Sequence, residues 1–493
     1  SFLARDAAFA SLGELYGGLS LQVLNPGLAY GTLRRLSPEE LAKTVVSRSD
    51  ILLLTRLPNE LPIVGGTLTE ELQTPLAHVN LAARTRGTPN AALLKASTDP
   101  RVSPFLGKLV RYEVTSEGFT LKAASLDEAQ AFWDSRKPEP FVPEQDLSLK
   151  GLPGFSELGF SDASRVGAKA ANLAELRGLL GEVAADGFAV PFSACDAYLH
   201  ANHVSASSCT AAATSCVNQG RAKSVCEAAS ALCAEGAAAV DDLHAYALRV
   251  VANPKAAADT VLREASLAGV VYLIEHGEVD PVWGAALDAK VAAVFGDAKV
   301  RLRSSTNSED LPGFSGAGLY RSVSAWAAGD SSASSRVREV WASLWDFRAT
   351  EERSYWGIEH AAVQMGVAVD LAHDDEVANG VLITQNVSDP NVYGMYVNVQ
   401  LGEVEVTNPE GGAVPEVFTI VPSPSGGVQV ARQRFSSLSP DVPLLKNAEV
   451  AKLYGAADKV QQHFAGLYGV DPAVLALDLE FKFLGPQRAL LLK

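Results

Sequence analysis

The chain is poor in the features that would place it in a membrane or on a nucleic acid. No apolar run approaches the ~20 residues that a helix needs to cross a bilayer. Lysines and arginines nowhere gather into a stripe. With 41 of them against 57 acidic residues the formal net charge is −16, which argues against a nucleic-acid partner. A small basic pocket for a nucleotide stays compatible with an acidic exterior. An initiator methionine and a signal peptide are both missing, and the sequence begins at Ser1 within what reads as folded protein. That start suggests an excised or processed segment, so the lack of a targeting signal decides nothing. Cysteine is scarce, at five residues, and the close C-x2–4-C pair favoured by structural zinc is not among them.

What is there fits a multidomain globular protein. At 493 residues, 47% hydrophobic and 20% charged, the chain has core enough for two to four domains and is not generally disordered. RKPEPFVPEQDLSLKGLPG at 136–154 combines prolines, charges and a lack of periodicity, and marks a linker. We place one domain at 1–137, the linker at 138–150 and a second domain at 151–493. Fully extended, that linker would span roughly 40 Å at about 3.3 Å per residue. In the first domain ILLLTRLP (51–58) reads as a buried strand and turn, and IVGGTLTEE (63–71) as a second short strand. TPLAHVNLAARTR (74–86) reads as a short helix stopped by GTP at 87–89, with NAAL (90–93) opening a further strand or turn. Such alternation suggests a compact α/β unit.

Four of the cysteines form a pattern. Cys209, Cys216, Cys226 and Cys233 are spaced 7, 10 and 7 residues apart, mirror-symmetric about Arg221. Alanine-rich flanks favour helix, and NQG at 218–220 supplies a turn. Residues seven apart share a helical face, so a helical hairpin inserted at about 200–240 would set Cys209 opposite Cys233 and Cys216 opposite Cys226. Two nested disulfides would imply an oxidising, extracytoplasmic compartment. A reduced hairpin with buried thiols is the alternative, and it would leave a cytoplasmic location. Cys195 lies outside the symmetry and reads as a core thiol.

The densest chemistry is at 301–320, RLRSSTNSEDLPGFSGAGLY. A strand-like apolar run (Val294, Phe295, Val300, Leu302) delivers Arg303 into a Ser/Thr-rich turn. Glu309 and Asp310 follow, and then a loop with Gly313, Gly316 and Gly318. Glycines at that density let backbone N–H groups turn toward an anion, and the arginine adds positive charge, so phosphate binding is the natural reading.

The stretch resembles the nucleotide-binding domain of the pyruvate phosphate dikinase and phosphoenolpyruvate synthase family, which includes glucan water dikinases. Four further segments match in the family's order. SRVGAKAANLAEL (164–176) resembles its glycine–lysine motif and VWASLWDFRATEER (340–353) the block carrying Arg348. LGEVEVTNPEGG (401–412) resembles its GE-x-x-V segment and LDLEFKF (477–483) its late D-x-E strand. The resemblance implies an α/β and α+β multidomain chain in which 151–493 is an ATP-grasp domain. By family position Lys169 and Arg303 hold ATP phosphates beneath the 313–318 loop, and Arg348 adds a contact. Glu403, Asp478 and Glu480 become Mg²⁺ ligands, oxygen donors suited to that ion.

A lone histidine near a helix start, such as His78, ordinarily caps the helix or sits satisfied at the surface. Here GGT followed by TPLAHVNLAARTRGTP is similar to the phosphohistidine segment of the family's swivelling domain, in the glucan water dikinase type of order, with the histidine domain first. The resemblance implies that ATP phosphorylates His78 with its β-phosphoryl group, releasing AMP, that Arg84 steadies the phosphate, and that the domain swings to an acceptor. No (βα)8-sized segment is left over for pyruvate, which points to a carbohydrate or another small molecule.

Three departures accompany the resemblance. The family's Q-x-R pair should begin just where the sequence stops, at Lys493. Asp370 in VAVDLA (367–372) stands where the family usually carries Gln, and an acid there would repel a nucleotide. The cysteine hairpin hints at a compartment where ATP is scarce. Two other readings therefore stand beside the dikinase-type phosphotransferase. One is an exported, non-catalytic binding or assembly protein on the same scaffold. The other is an ATP-grasp ligase, which has no need of a mobile histidine domain.

Overall fold

The computed structural model describes residues 20–41, 44–58, 61–72, 83–84, 86–136, 139–309, 311, 318–386, 393–404, 406, 413–423 and 426–493. His78, Gly313 and Gly316 lie outside the described residues. Those described form three sheets in a mixed α/β, multidomain arrangement.

The first sheet runs β1-β5-β4-β3-β2-β6-β7. Its strands are β1 (Leu21–Asn25), β2 (Gly27–Leu36), β3 (Asp50–Leu54), β4 (Gly66–Thr69), β5 (Asn90–Leu93), β6 (Leu109–Thr115) and β7 (Gly118–Ala123). Strands β2 to β5 are parallel, and β1, β6 and β7 run antiparallel at the edges. The unbroken apolar run DILLL of β3 is buried throughout, as a parallel strand covered on both faces requires. Ile51 and Leu53 enter a core with Leu33, Leu68 and Tyr112, while Leu52 and Leu54 face Leu61, Val64 and Ala83. Helix α1 (Leu126–Ser135), started by a Ser125–Glu128 capping box, closes this unit.

Two antiparallel sheets follow. One has the order β10-β9-β11-β8, the other β15-β14-β13-β12-β16-β17. The former holds β8 (Gly187–Val190), β9 (Val300–Thr306), β10 (Ser322–Ala325) and β11 (Met365–Leu371). The latter holds β12 (Glu376–Ile383), β13 (Met395–Leu401), β14 (Glu416–Pro422), β15 (Val428–Arg434), β16 (Asp478–Leu484) and β17 (Ala489–Leu492). Helix α2 (Ala168–Leu180) crosses between them, sending Leu176 to the core of the six-stranded sheet and Leu173 to a cluster with Ala189 and Ala368.

The cysteine hairpin is a pair of helices, α3 (Ala206–Asn218) and α4 (Lys223–Ala238). Cys209 bonds to Cys233 and Cys216 to Cys226, with Cα separations of 5.6 and 5.8 Å. The outer pair joins a large core with Tyr246 and Leu267, and the inner pair packs on Ala265 of α5 (Thr260–His276). Cys195 is buried with its thiol free.

Two expectations change. Val294 and Phe295 are not strand: they end α6 (Pro281–Phe295), because the alanine-rich run stays helical until Gly296, whose φ of 62° turns the chain, and β9 starts only at Val300. Residues 139–150 are also not a free tether. The Phe141 backbone pairs with Gly357 and Glu359, Glu144 O accepts from Asn307 Nδ2, and Leu149 O accepts from Ser193 Oγ. Bonds made by main-chain groups satisfy an extended segment without any apolar periodicity.

Candidate functional site

Strand alternation supplies the charged wall of the site. On β9 Val300 and Leu302 enter the core, which turns Arg301 and Arg303 to the opposite face. On β16 Leu479, Phe481 and Phe483 are buried, which turns Asp478, Glu480 and Lys482 outward. The chain then folds so that these two faces meet.

Lys169 is brought to the same place by a tight packing of α2 on β9. Gly167, with φ of 87°, lies so close that a Cβ would sit 2.3 Å from the Ser305 carbonyl oxygen, so only glycine fits. The Ser305 hydroxyl accepts the Ala170 N–H at 2.9 Å, satisfying a donor in the first turn of α2. This pinning presents Lys169, whose ammonium reaches Glu309 Oε1 at 3.1 Å.

Lys169, Arg303, Glu309, Asp478, Glu480 and Lys493 line one cavity of about 430 Å³, together with Gly318. A neighbouring cavity of about 520 Å³ shares Arg303, Glu480 and Lys493 and adds Arg301, His373 and Glu403. Behind the shared wall lies Asp370, 0% exposed. Its carboxylate accepts Arg303 Nε at 3.0 Å on one oxygen and bonds the Lys493 ammonium with the other.

Asp370, read from the sequence as an acid near the nucleotide, is buried and paired with both of these cations. Burial pushes its pKa up, but Arg303 and Lys493 pull harder, and the carboxyl is held below its ordinary range. Arg303 loses by burial and gains more from Asp370, Glu480 and Glu376, so its pKa is raised. Burial lowers that of Lys493, with Asp370 opposing the drop and Arg303 adding to it. Arg301 is lowered too, by burial and then by Arg303, and its guanidinium donates to Ser324 Oγ at 3.1 Å.

The remaining residues expected from the sequence are dispersed. Arg84 is exposed. Arg348 is exposed in the first turn of α7 (Phe347–Tyr355), where it acts electrostatically on Glu352. Glu403 follows β13 beyond Gly402 (φ 61°) and lines the second cavity. Among the described residues no three His, Cys, Asp or Glu side chains converge as a metal cage. The set Glu403, Asp478 and Glu480 is split over the two cavities, Glu480 sharing the first with Asp478 and the second with Glu403. Sequence reasoning missed Lys493 and the pairing of Glu309 with Lys169.

Residues 163–483 match the pyruvate phosphate dikinase, AMP/ATP-binding domain family. The chain belongs to that family. Among curated proteins, a 123-residue stretch is 32% identical to a phosphoenolpyruvate synthase of Pyrococcus furiosus and to probable phosphoenolpyruvate synthases of Pyrococcus horikoshii and Pyrococcus abyssi. That stretch is 24% of this chain and spans 14% of each relative's length. Among the described residues no helix is long and apolar enough to cross a membrane.

Proposed function

We propose that the protein is a dikinase-type phosphotransferase that moves the β-phosphoryl group of ATP to His78 and from there to a carbohydrate or another small-molecule acceptor. In this reading residues 151–493 are the ATP-grasp domain and 1–137 the swivelling phosphohistidine domain. The observation that carries it is the convergence of Lys169, Arg303 and Glu480 on one cavity in a chain of the AMP/ATP-binding family.

Three cations (Lys169, Arg303, Lys493) face three carboxylates (Glu309, Asp478, Glu480) in that cavity. The lining is therefore close to neutral, and a triphosphate needs further positive charge. Mg²⁺ fits this donor set, since it is commonly held by one or two carboxylates plus substrate phosphates rather than by an all-protein cage. Asp478 and Glu480 would hold it, with Glu403 near the neighbouring cavity. The ion would supply charge neutralisation at the transferring phosphoryl group.

The protein's own groups do the rest. Lys169 and Arg303 orient the phosphates, Asp370, itself bonded by Lys493, holds the Arg303 guanidinium, and by the resemblance the 313–318 loop would cover the chain of phosphates. A neutral imidazole nitrogen is a competent nucleophile toward phosphorus. That nitrogen bonds to the β-phosphorus as the oxygen bridge to the α-phosphorus breaks, and AMP leaves with the electron pair. Mass balance then sends the γ-phosphoryl to water as inorganic phosphate. Arg84 would steady the phosphohistidine.

The test is acid-labile labelling from β-labelled ATP with Mg²⁺, beside His78→Ala. Label on the wild type and none on the variant is expected, and equal label on both would refute the histidine's role. A binding or assembly protein is the second reading. It is favoured by the cystine hairpin and by cations that already have carboxylate partners, and it would bind nucleotide without turnover.

A further inference from the structure

The two charged walls of the first cavity come from different sheets. Arg303 stands on β9 of the four-stranded sheet, whereas Asp478 and Glu480 stand on β16 of the six-stranded sheet. Between those sheets the chain passes from β11 to β12 through residues 372–375. A few residues at the end of an element are enough to act as a hinge, and the distance between the walls follows the angle that this turn allows.

Lys493 spans the gap. Its N–H donates to the Glu480 carbonyl at 2.8 Å, and the Glu480 N–H donates to the Lys493 carbonyl at 3.0 Å. The residue therefore extends the pairing of β17 with β16 one step beyond Leu492. Its side chain leaves the six-stranded sheet and bonds Asp370 Oδ2 on β11 of the other. The second oxygen of Asp370 accepts Arg303 Nε at 3.0 Å. A continuous run of bonds thus joins Glu480 to Arg303 across the wall that the two cavities share. The Asp370 and Lys493 side chains at its centre are 0% and 5% exposed, so solvent and salt screen their attraction little. Arg303 uses only Nε on Asp370, which leaves both Nη groups for an oxyanion.

We infer that the Lys493–Asp370 pair is a clasp across the nucleotide cleft, and that Lys493 is a positioning residue that sets the Arg303 guanidinium against the Glu480 carboxylate without itself holding a phosphate. The inference rests on the nucleotide reading of this cavity. The Lys493 ammonium is already bonded and buried, so its effect on a ligand passes through Arg303. Without it the two sheets lose a fixed point beside the 372–375 turn, and Asp370 is left to draw on Arg303 alone.

Two cycles of substitutions on the full chain test it. Lys493→Met keeps the length of the side chain and removes the ammonium. In calorimetric titration with ATP and Mg²⁺ it should weaken binding about tenfold, the scale of one charge-assisted bond. In an Arg303→Ala background the same change should weaken binding less than about twofold, because residues that act through one another are not additive. No loss in the wild-type background would overturn the positioning role, and so would an equal tenfold loss in both backgrounds, the mark of an independent contact. Lys493→Arg keeps the charge and should bind ATP more tightly than Lys493→Met; an arginine no better than methionine would overturn the charge as the cause. Thermal unfolding supplies the second cycle. Lys493→Met and Asp370→Asn break the same bond, so the double variant should lose less than the sum of the single losses. Additive losses would overturn the clasp. A wild type that binds no ATP would refute the nucleotide reading and the positioning role with it, while the unfolding cycle still decides whether the clasp exists.

Discussion

Replacing Asp370 by Asn removes one negative charge from between two cations and changes almost nothing in shape. Asp370 is wholly buried, and Lys493 is 5% exposed on its side chain. The variant leaves Arg303 and Lys493 facing each other with no anion between them. Removing one partner of a buried ion pair typically costs about 3–5 kcal/mol, and partial neutralisation of Lys493 should hold the cost near the lower end. At roughly 2–4 °C per kcal/mol for a large domain, the melting temperature at pH 7 should fall by about 6–12 °C.

The pH dependence is the sharper arm. In the wild type the Asp370 carboxyl is depressed, so its contribution is present above the ordinary carboxylate range and is lost only as the pH falls through the folded value. Lys493 is depressed relative to the unfolded chain, so the unfolded state binds more protons on it as the pH rises, and stability rises with pH there. Without Asp370 that depression deepens. The deficit of Asp370→Asn should therefore narrow as the pH rises toward the ordinary lysine value of about 10.4, as Lys493 sheds its proton in the folded state. Thermal unfolding of both proteins across that range decides it. An unchanged melting temperature, or a deficit that widens with pH, would refute the charge-triad account.

Other outcomes follow from the same geometry. Lys169→Ala or Arg303→Ala should each weaken nucleotide binding by titration calorimetry by about 1.5–3 kcal/mol, the range for charge-assisted bonds, while Arg84→Ala should leave binding unchanged. Cys209→Ser with Cys233→Ser opens a cross-link of 24-residue separation, and by loop entropy denaturant unfolding should report a loss of about 3 kcal/mol. Equal stability with and without the bond would contradict the hairpin's structural role. Asp346 is raised to about 6 by burial, against Arg321 and with Glu275. The unfolded chain releases that proton first, so stability should fall as pH rises from about 4 to about 6. Asp346→Asn should flatten that slope, and an unaltered slope would show that Asp346 does not titrate in the window.

Local chemistry was legible where one element decides it. The 7-10-7 spacing predicts which cysteines face each other in a hairpin, whereas Arg303, read as entering a turn, lies within strand β9. Gly167 looked like part of a glycine–lysine motif, but its reason is visible only where the Ser305 carbonyl leaves no room for a Cβ. The Asp370–Lys493 bond spans 123 residues and depends on how two sheets are placed, so Asp370 alone read as a repulsive intrusion. Val294 and Phe295 misled because a short apolar run suits a helix end as well as a strand. The docking of 139–150 was invisible because main-chain groups make it. His78, Gly313 and Gly316 stand on the resemblance of their segments.

The most direct measurement is the identity of the nucleotide left after incubation with ATP and Mg²⁺, resolved by phosphorus NMR. The account predicts AMP together with inorganic phosphate, in an amount set by the protein when no acceptor is present. ADP as the product would contradict it, since that outcome means γ-phosphoryl transfer by a different reaction, and bound but intact ATP would leave a nucleotide-binding scaffold in its place.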